Sequence, residues 1–337
     1  MREYYWRPTQ DELSFLACLT VPLTRNIRGS DRESRCSILQ FHSSKMTTAF
    51  SRIIKQLGYE RILLAPNSGR VIIPGLPYSA FDAQSFPKPW YVMNLMDSTH
   101  ICLIEAAHGR DSLLGLHELC RKYLSFSSTA QMDFHDKLYN ESVVKAPLCL
   151  DTHISDVGNS SYVMETEMKA AEIPLARYRS QLVLVDTTSR KPIKIPQQWK
   201  DTYGHLYEGG QPMRFHALEK PCDQSRVIKV SVGEVPNSDT DGNGHLNFSN
   251  YLKYCCDGLV KREKRQTNSS LPIRPLLLKS ASMWYRKECN DGDDLELEIW
   301  EHEKQMDSLC VDMLRNGDSV FQCKMELYKA KHVRSSL

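Results

Sequence analysis

The sequence predicts an α+β chain made of two successive copies of one arrangement, a long helix wrapped by a strongly bent antiparallel sheet. Three observations lead there. At 337 residues the chain has room for about two domains of ~100–200 residues each. Five Trp, fifteen Tyr and ten Phe suit sheet-rich domains better than a helical bundle. Each half also reads as a strand, a long helix and then three or four antiparallel strands, a duplication of architecture without evident sequence identity. An apolar content of 41% and a charged content of 25% allow a substantial core.

Residues 1–32 form a mixed, charged N-terminal extension with an aromatic cluster at Tyr4, Tyr5 and Trp6. The apolar run 13–21 follows Asp11 and Glu12, where a secretion signal carries positive charge, so it reads as a buried strand or helix. The first unit covers 33–200. It begins with a strand at 36–41 and a short helix at 46–58 that Gly58 ends. The Pro- and Gly-rich stretch 65–90 reads as a surface excursion, part of an insertion over 43–90. Residues 92–124 have helical spacing, with Leu95, Thr99, Cys102, Leu103, Ala106 and Ala107 on one face. Strands are expected at 162–168 and 175–186, followed by a polar turn over 186–190.

Glycines and prolines over 201–222 mark a linker. The second unit covers 223–330. Residues 226–235 alternate as a strand, and 248–260 form a helix with Tyr251, Leu252, Cys255 and Leu259 on one face. A polar loop spans 263–273. Strands are expected at 275–288, 295–299, 306–314 and 319–328, the last two joined by a hairpin turn at Asn316-Gly317. Residues 331–337 are a tail.

The net charge of +2 nominates neither nucleic acid nor an acidic membrane as partner. No run reaches the ~18 apolar residues of a membrane span. The eleven cysteines include no paired CxxC, so zinc is not expected, and free thiols in a reducing compartment are. Cys102 and Cys120 are expected to face the core. The location expected is cytoplasmic. The C-terminal Ser335-Ser336-Leu337 is a loose variant of the peroxisomal address and lacks its basic penultimate residue.

Polar chemistry concentrates in Asp239-Thr240-Asp241-Gly242-Asn243-Gly244-His245-Leu246-Asn247. As a calcium loop over 239–250, Asp239, Asp241 and Asn243 fill ligand positions and Gly244 the turn. The twelfth position, however, is Asn250 rather than a bidentate Glu, and a strand precedes instead of a helix. As a strand-to-helix turn, the glycines let the backbone approach a ligand, and Asn247 can cap the helix. Backbone N–H groups at Gly244, Leu246 and Asn247 would then face a developing oxyanion. Asp241 would attack or activate water, Asn243 orient it, and His245 relay a proton. A plain capped turn, with its Asx side chains satisfying the backbone, is the bland alternative.

These residues resemble the Asp-x-Asp-x-x-Gly-His-x-Asn signature of hotdog-fold thioesterases, and most closely the double-hotdog acyl-ACP thioesterases. The resemblance implies a tandem hotdog, with Asp241, Asn243 and His245 as the catalytic set. That family also carries a Tyr-Arg-x-Glu-Cys strand, matched here by Tyr285-Arg286-Lys287-Glu288-Cys289. By the same resemblance Glu288 joins the site as a second carboxylate, with Cys289 a weaker candidate. The chain departs at Phe248, where the family has a second Asn, and in the longer 263–273 loop. The first half has no Asp-x-Asn-x-His. Residues 91–97 stand at its matching junction, so the first hotdog is expected to be non-catalytic, with Asp97 a helix-start carboxylate. The implied activity is hydrolysis of acyl-CoA or acyl-ACP thioesters, with no metal and no cofactor. The two units would pair within the chain as a pseudo-dimer, compatible with a further homodimer. The rival is a hotdog protein that binds acyl thioesters without turnover.

Overall fold

The computed structural model describes residues 56–104, 112–207, 213–242, 244–267, 277–303, 305 and 307–328. The expected N-terminal extension, the strand at 36–41, nearly all of the helix at 46–58, Ala106, Ala107, Asn243 and the tail with its Ser335-Ser336-Leu337 lie outside them. The strands are β1 (Glu60–Ala65), β2 (Ser68–Ile73), β3 (Leu124–Phe134), β4 (Leu148–Val157), β5 (Ser161–Ala170), β6 (Ile173–Val185), β7 (Ile228–Glu234), β8 (Leu278–Tyr285), β9 (Asp294–Glu301), β10 (Ser308–Arg315) and β11 (Asp318–Leu327). The helices are α1 (Pro89–Ile104), α2 (Leu116–Lys122), the single turn α3 (Asp136–Tyr139), α4 (Gln197–Tyr203) and α5 (Phe248–Thr267).

All eleven strands join one antiparallel sheet in the order β1-β2-β4-β5-β6-β3-β8-β11-β10-β9-β7. Outward from the middle, the order β3-β6-β5-β4-β2 mirrors β8-β11-β10-β9-β7, strand for strand in chain order. Each block therefore runs strand, long helix, then four strands. The blocks meet where β3 pairs with β8, from Thr129↔Trp284 to Asp133↔Ser280. β1 is an extra strand on the outer edge of the first block.

Sequence pattern explains the two long helices. α1 is apolar on most sides and buries Val92, Met93, Met96, Cys102 and Leu103. α5 is amphipathic. Tyr251, Leu252, Cys255 and Leu259 are buried as the 248–260 spacing predicts. Its C-terminal part carries Lys261, Arg262, Lys264 and Arg265. Gly258 brings α5 close to the sheet, since a Cβ there would stand 2.4 Å from Leu297 Cδ1. The hairpin also forms as read. Asn316 (φ 53°) and Gly317 (φ 81°) occupy the two central turn positions, and Arg315 pairs with Asp318.

Several expectations are corrected. The excursion at 65–90 contains β2, which pairs with both β1 and β4. Pro66 and Pro74 lie just outside that strand, so proline content hid a strand that it only brackets. The helical reading of 92–124 breaks up. Among the described residues α1 reaches Ile104, and Leu114 (φ 47°) and Gly115 (φ 62°) interrupt the chain before α2. β3 and β4 were not expected, because their inward positions include polar Thr129, Thr152 and Asp156. The loop at 263–273 starts late, as α5 runs to Thr267. Cys102 is buried but Cys120 only half-buried.

The stretch read as a linker begins inside α4, and residues 213–222 run along the second block. Phe215 packs on Trp284 with ring centroids 5.7 Å apart. The Leu218 N–H donates to Gln322 Oε1 (2.9 Å). Lys220 Nζ lies 2.5 Å from Glu298 and 3.0 Å from Asp312, both carboxylates being buried. Burial pushes the Glu298 carboxyl up, but Lys220 and Lys229 outweigh it and hold the group below its ordinary range. Lys220→Met therefore destabilises the protein by about 1–3 kcal/mol near neutral pH, by leaving buried carboxylate undercompensated. The folded-state value of Glu298 is depressed, so its pairing stabilises above the ordinary carboxylate range and is lost as pH falls through the depressed value. Melting temperatures of wild type and variant should differ at neutral pH and converge in acid.

Candidate active site

β7 ends at Glu234, and a short 3-10 turn at Asn237–Asp239 leads into the polar stretch. The stretch folds back on itself, with Thr240 bridging Leu246. The Asp241 N–H donates to the His245 carbonyl (2.7 Å) and the Gly244 N–H to the Asp241 carbonyl (2.9 Å). Gly244 has φ 78°, a left-handed value that glycine adopts without strain. Asp241 Oδ1 accepts the His245 N–H at 3.3 Å, which fixes the carboxylate on the turn.

The turn then zips onto the loop after β8. His245 bridges Asn290, and the Leu246 N–H donates to the Cys289 carbonyl (2.7 Å). This pairing brings Glu288 to His245, with Oε2 3.3 Å from Nε2. Glu288 was read as a strand residue, yet β8 stops at Tyr285. There the Arg286 and Lys287 N–H groups both donate to the Val320 carbonyl (2.9 and 3.1 Å), and the chain leaves the ladder. Glu288 is consequently on a loop with its side chain 44% exposed, which leaves lone pairs open to water. His245 is more enclosed, at 18%.

Asp239 faces the other way. Its carboxylate takes Lys253 Nζ (2.8 Å) and the Tyr254 hydroxyl (2.8 Å), while its carbonyl accepts the Asn247 N–H (2.9 Å) and Asn250 Nδ2 (2.9 Å). It ties the turn to α5 and is spent on protein partners. With a strand before it, this geometry does not make the 239–250 calcium loop. Asn247 caps α5 as read, Oδ1 accepting the Ser249 N–H (3.0 Å) and hydroxyl (2.8 Å).

The three N–H groups expected to face an oxyanion are all donated within the protein: Gly244 to Asp241, Leu246 to Cys289 and Asn247 to Asp239. The turn closes as a bridge instead of opening toward the helix. In the first turn of α5, Ser249 donates to Asn247 Oδ1 and Asn250 to the Asn247 carbonyl. The Phe248 N–H makes no hydrogen bond among the described residues. Cys289 is fully buried, and burial pushes its thiol up, so it stays protonated at neutral pH. Its N–H donates to the Tyr251 hydroxyl (3.1 Å).

Two residues of the first block also reach the site, and sequence reasoning singled out neither. The Phe126 ring of β3 lies 6.4 Å from the His245 ring. The Arg190 guanidinium stands 4.7 Å from the Phe126 ring, and its Nη2 is 2.6 and 2.8 Å from the two Glu288 oxygens. The corresponding place in the first block holds no such turn. Asp97 lies well inside α1 rather than at a helix start, 3.5 Å from the Tyr178 hydroxyl and 3.6 Å from His100 Nδ1. A string of buried polar groups continues from His100 through Thr166 to Thr152.

No protein-family profile matches the sequence, and no curated protein resembles it in sequence. Solved structures do resemble it in fold. An acyl-ACP thioesterase from Bacteroides thetaiotaomicron is similar at 17% identity and a TM-score of 0.54, over 77% of this chain and 98% of that one. A 12:0-ACP thioesterase from Umbellularia californica is similar at 16% identity and a TM-score of 0.58, over 79% and 98%. The chain has the hotdog fold of these proteins.

Proposed function

Starting from that fold, we propose that the chain is a thioester hydrolase that cleaves acyl-CoA or acyl-ACP to a fatty acid and a thiol. The observation that supports this reading is the contact between His245 and Glu288, an imidazole beside a water-accessible carboxylate. Two solved structures of like fold are acyl-ACP thioesterases, which supports the same chemistry. The two five-strand blocks are taken as two hotdog units fused in tandem, the second catalytic and the first its partner. A site between units would then be complete within one chain.

In the proposed reaction Glu288 takes a proton from water, and the water oxygen adds to the thioester carbonyl carbon. Asp241 supplies the second negative charge, and Asn243 orients the attacking water. The Phe248 N–H, unspent at the start of α5, donates to the developing oxyanion. The C–S bond then breaks, and His245 passes the proton to the leaving thiolate. No step draws on a metal or a redox cofactor. No helix among the described residues is long and apolar enough to cross a membrane. A cytoplasmic setting is proposed.

One observation favours the second reading, thioester binding without turnover: the Gly244, Leu246 and Asn247 N–H groups at the turn are all donated within the protein. A substrate panel separates the two. CoA and carrier-protein thioesters of several chain lengths are incubated with the purified chain, and thiol release is followed with a thiol-reactive dye. Release well above the buffer rate on at least one substrate is expected. Tight binding with no release on any of them would replace hydrolysis by binding.

A further inference from the structure

We infer that Arg190, contributed by the first block, is a positioning residue that sets the Glu288 carboxylate for the reaction. The inference rests on the hydrolase reading and adds to it a working part from the block otherwise taken as inert. It starts from the turn after β6. Asp186 builds that turn unaided. Its carboxylate accepts the N–H groups of Thr188 (3.1 Å) and Ser189 (2.7 Å), its carbonyl accepts the Arg190 N–H (3.0 Å), and its own N–H donates to Lys191 (3.0 Å). The Arg190 side chain plays no part in these bonds.

Arg190 also stands where the backbone disfavours it. Its φ is 57°, in the left-handed region that glycine and asparagine occupy at little cost. Nor does its ion pair explain its presence as a stability device. The two side chains are 41% and 44% exposed, and pairs so solvated contribute little to folding. An arginine held against its backbone preference, for a pair of small folding value, points from strain to function.

Its geometry says which function. Glu288 lies on a loop and is half in solvent, so its carboxylate has several rotamers available without a partner. The guanidinium meets both carboxylate oxygens and rests on Phe126, which itself lies beside the His245 ring. The carboxylate is thereby fixed with Oε2 facing His245 Nε2. Lysine keeps the charge at this place but not the planar guanidinium that rests on Phe126.

The test compares Arg190→Gly and Arg190→Lys with wild type. In steady-state thiol release, Arg190→Gly is expected to lower kcat about 10- to 100-fold with KM within about twofold, the mark of lost orientation rather than lost binding. Its melting temperature should equal or exceed that of wild type, because glycine relieves the turn. Arg190→Lys should fall between the two in kcat. Tens of millimolar guanidinium should raise kcat of Arg190→Gly several-fold and leave wild type unchanged. An unaltered kcat overturns the inference, as does a lower melting temperature with kcat and KM both impaired, which would make the pair merely structural. A readout independent of turnover keeps this distinct from failure of the hydrolase reading. The His245 imidazole resonances should shift in Arg190→Gly and return with guanidinium, whether or not any thioester is cleaved. Resonances unmoved by the substitution count against the positioning role by themselves.

Discussion

Asp241→Asn lowers thioester hydrolysis by about a thousandfold or more and leaves the fold in place. The substitution is selective because of how Asp241 is held. Its Oδ1 accepts the His245 N–H at 3.3 Å, and an asparagine carbonyl oxygen in the same position accepts that bond equally well. The turn therefore keeps its shape, including the bond from the Asp241 N–H to the His245 carbonyl (2.7 Å). What disappears is the negative charge. A neutral amide cannot supply the second negative charge that the proposed reaction sets beside the attacking water, and loss of such a group costs about 10²–10⁴-fold. Far-ultraviolet circular dichroism and the melting temperature should match wild type while thiol release vanishes. Undiminished release from a folded variant would remove Asp241 from the reaction.

Glu288→Gln should lower kcat by about 10²–10³-fold, with little change in KM. Glutamine keeps the volume and one acceptor oxygen toward His245 but cannot take a proton from water. It also ends the charge pairing with Arg190, which now meets both oxygens at 2.6 and 2.8 Å. Because the side chain is half-exposed, the loss of the pair costs little stability, on the order of 0–1 kcal/mol. The measurements are steady-state kinetics and calorimetric melting of the same preparation. A variant with wild-type kcat would leave Asp241 as the sole carboxylate of the reaction. A variant with raised KM and unchanged kcat would make Glu288 a substrate contact instead.

The parts of the structure legible in the sequence are those written in short-range chemistry. Asn316-Gly317 specifies its hairpin because only such residues tolerate two successive left-handed positions. Tyr251, Leu252, Cys255 and Leu259 declare the buried face of α5 through their spacing. Asn247 announces a cap, and the cap forms. What stayed hidden depends on partners far along the chain. β4 turns Thr152 and Asp156 inward, where a pattern reader expects apolar residues. Thr152 is acceptable there because it finds Thr166 at 2.7 Å on the neighbouring strand. Arg190 sits in a turn whose local sequence is complete without it, and its partner Glu288 is 98 positions away. The oxyanion donors were misplaced for a related reason. Gly, Leu and Asn at those positions are compatible with an open turn, but the Cys289 and Asp239 carbonyls take two of their N–H groups.

The seam between β3 and β8 has a consequence during synthesis on the ribosome. The first block emerges before β8 exists, so β3, paired with β6 on one side, waits with the ladder groups of its other edge unpaired, a template for pairing with other nascent chains. Its composition suits that wait. Ser125, Ser127, Ser128, Gln131 and Asp133 make β3 unusually polar for a strand at the centre of a sheet, and its register slips between Ser127 and Thr129. Polar side chains and an irregular ladder are what edge strands use to refuse strangers. The strand in the middle of the finished sheet is dressed for the time it spends as an edge.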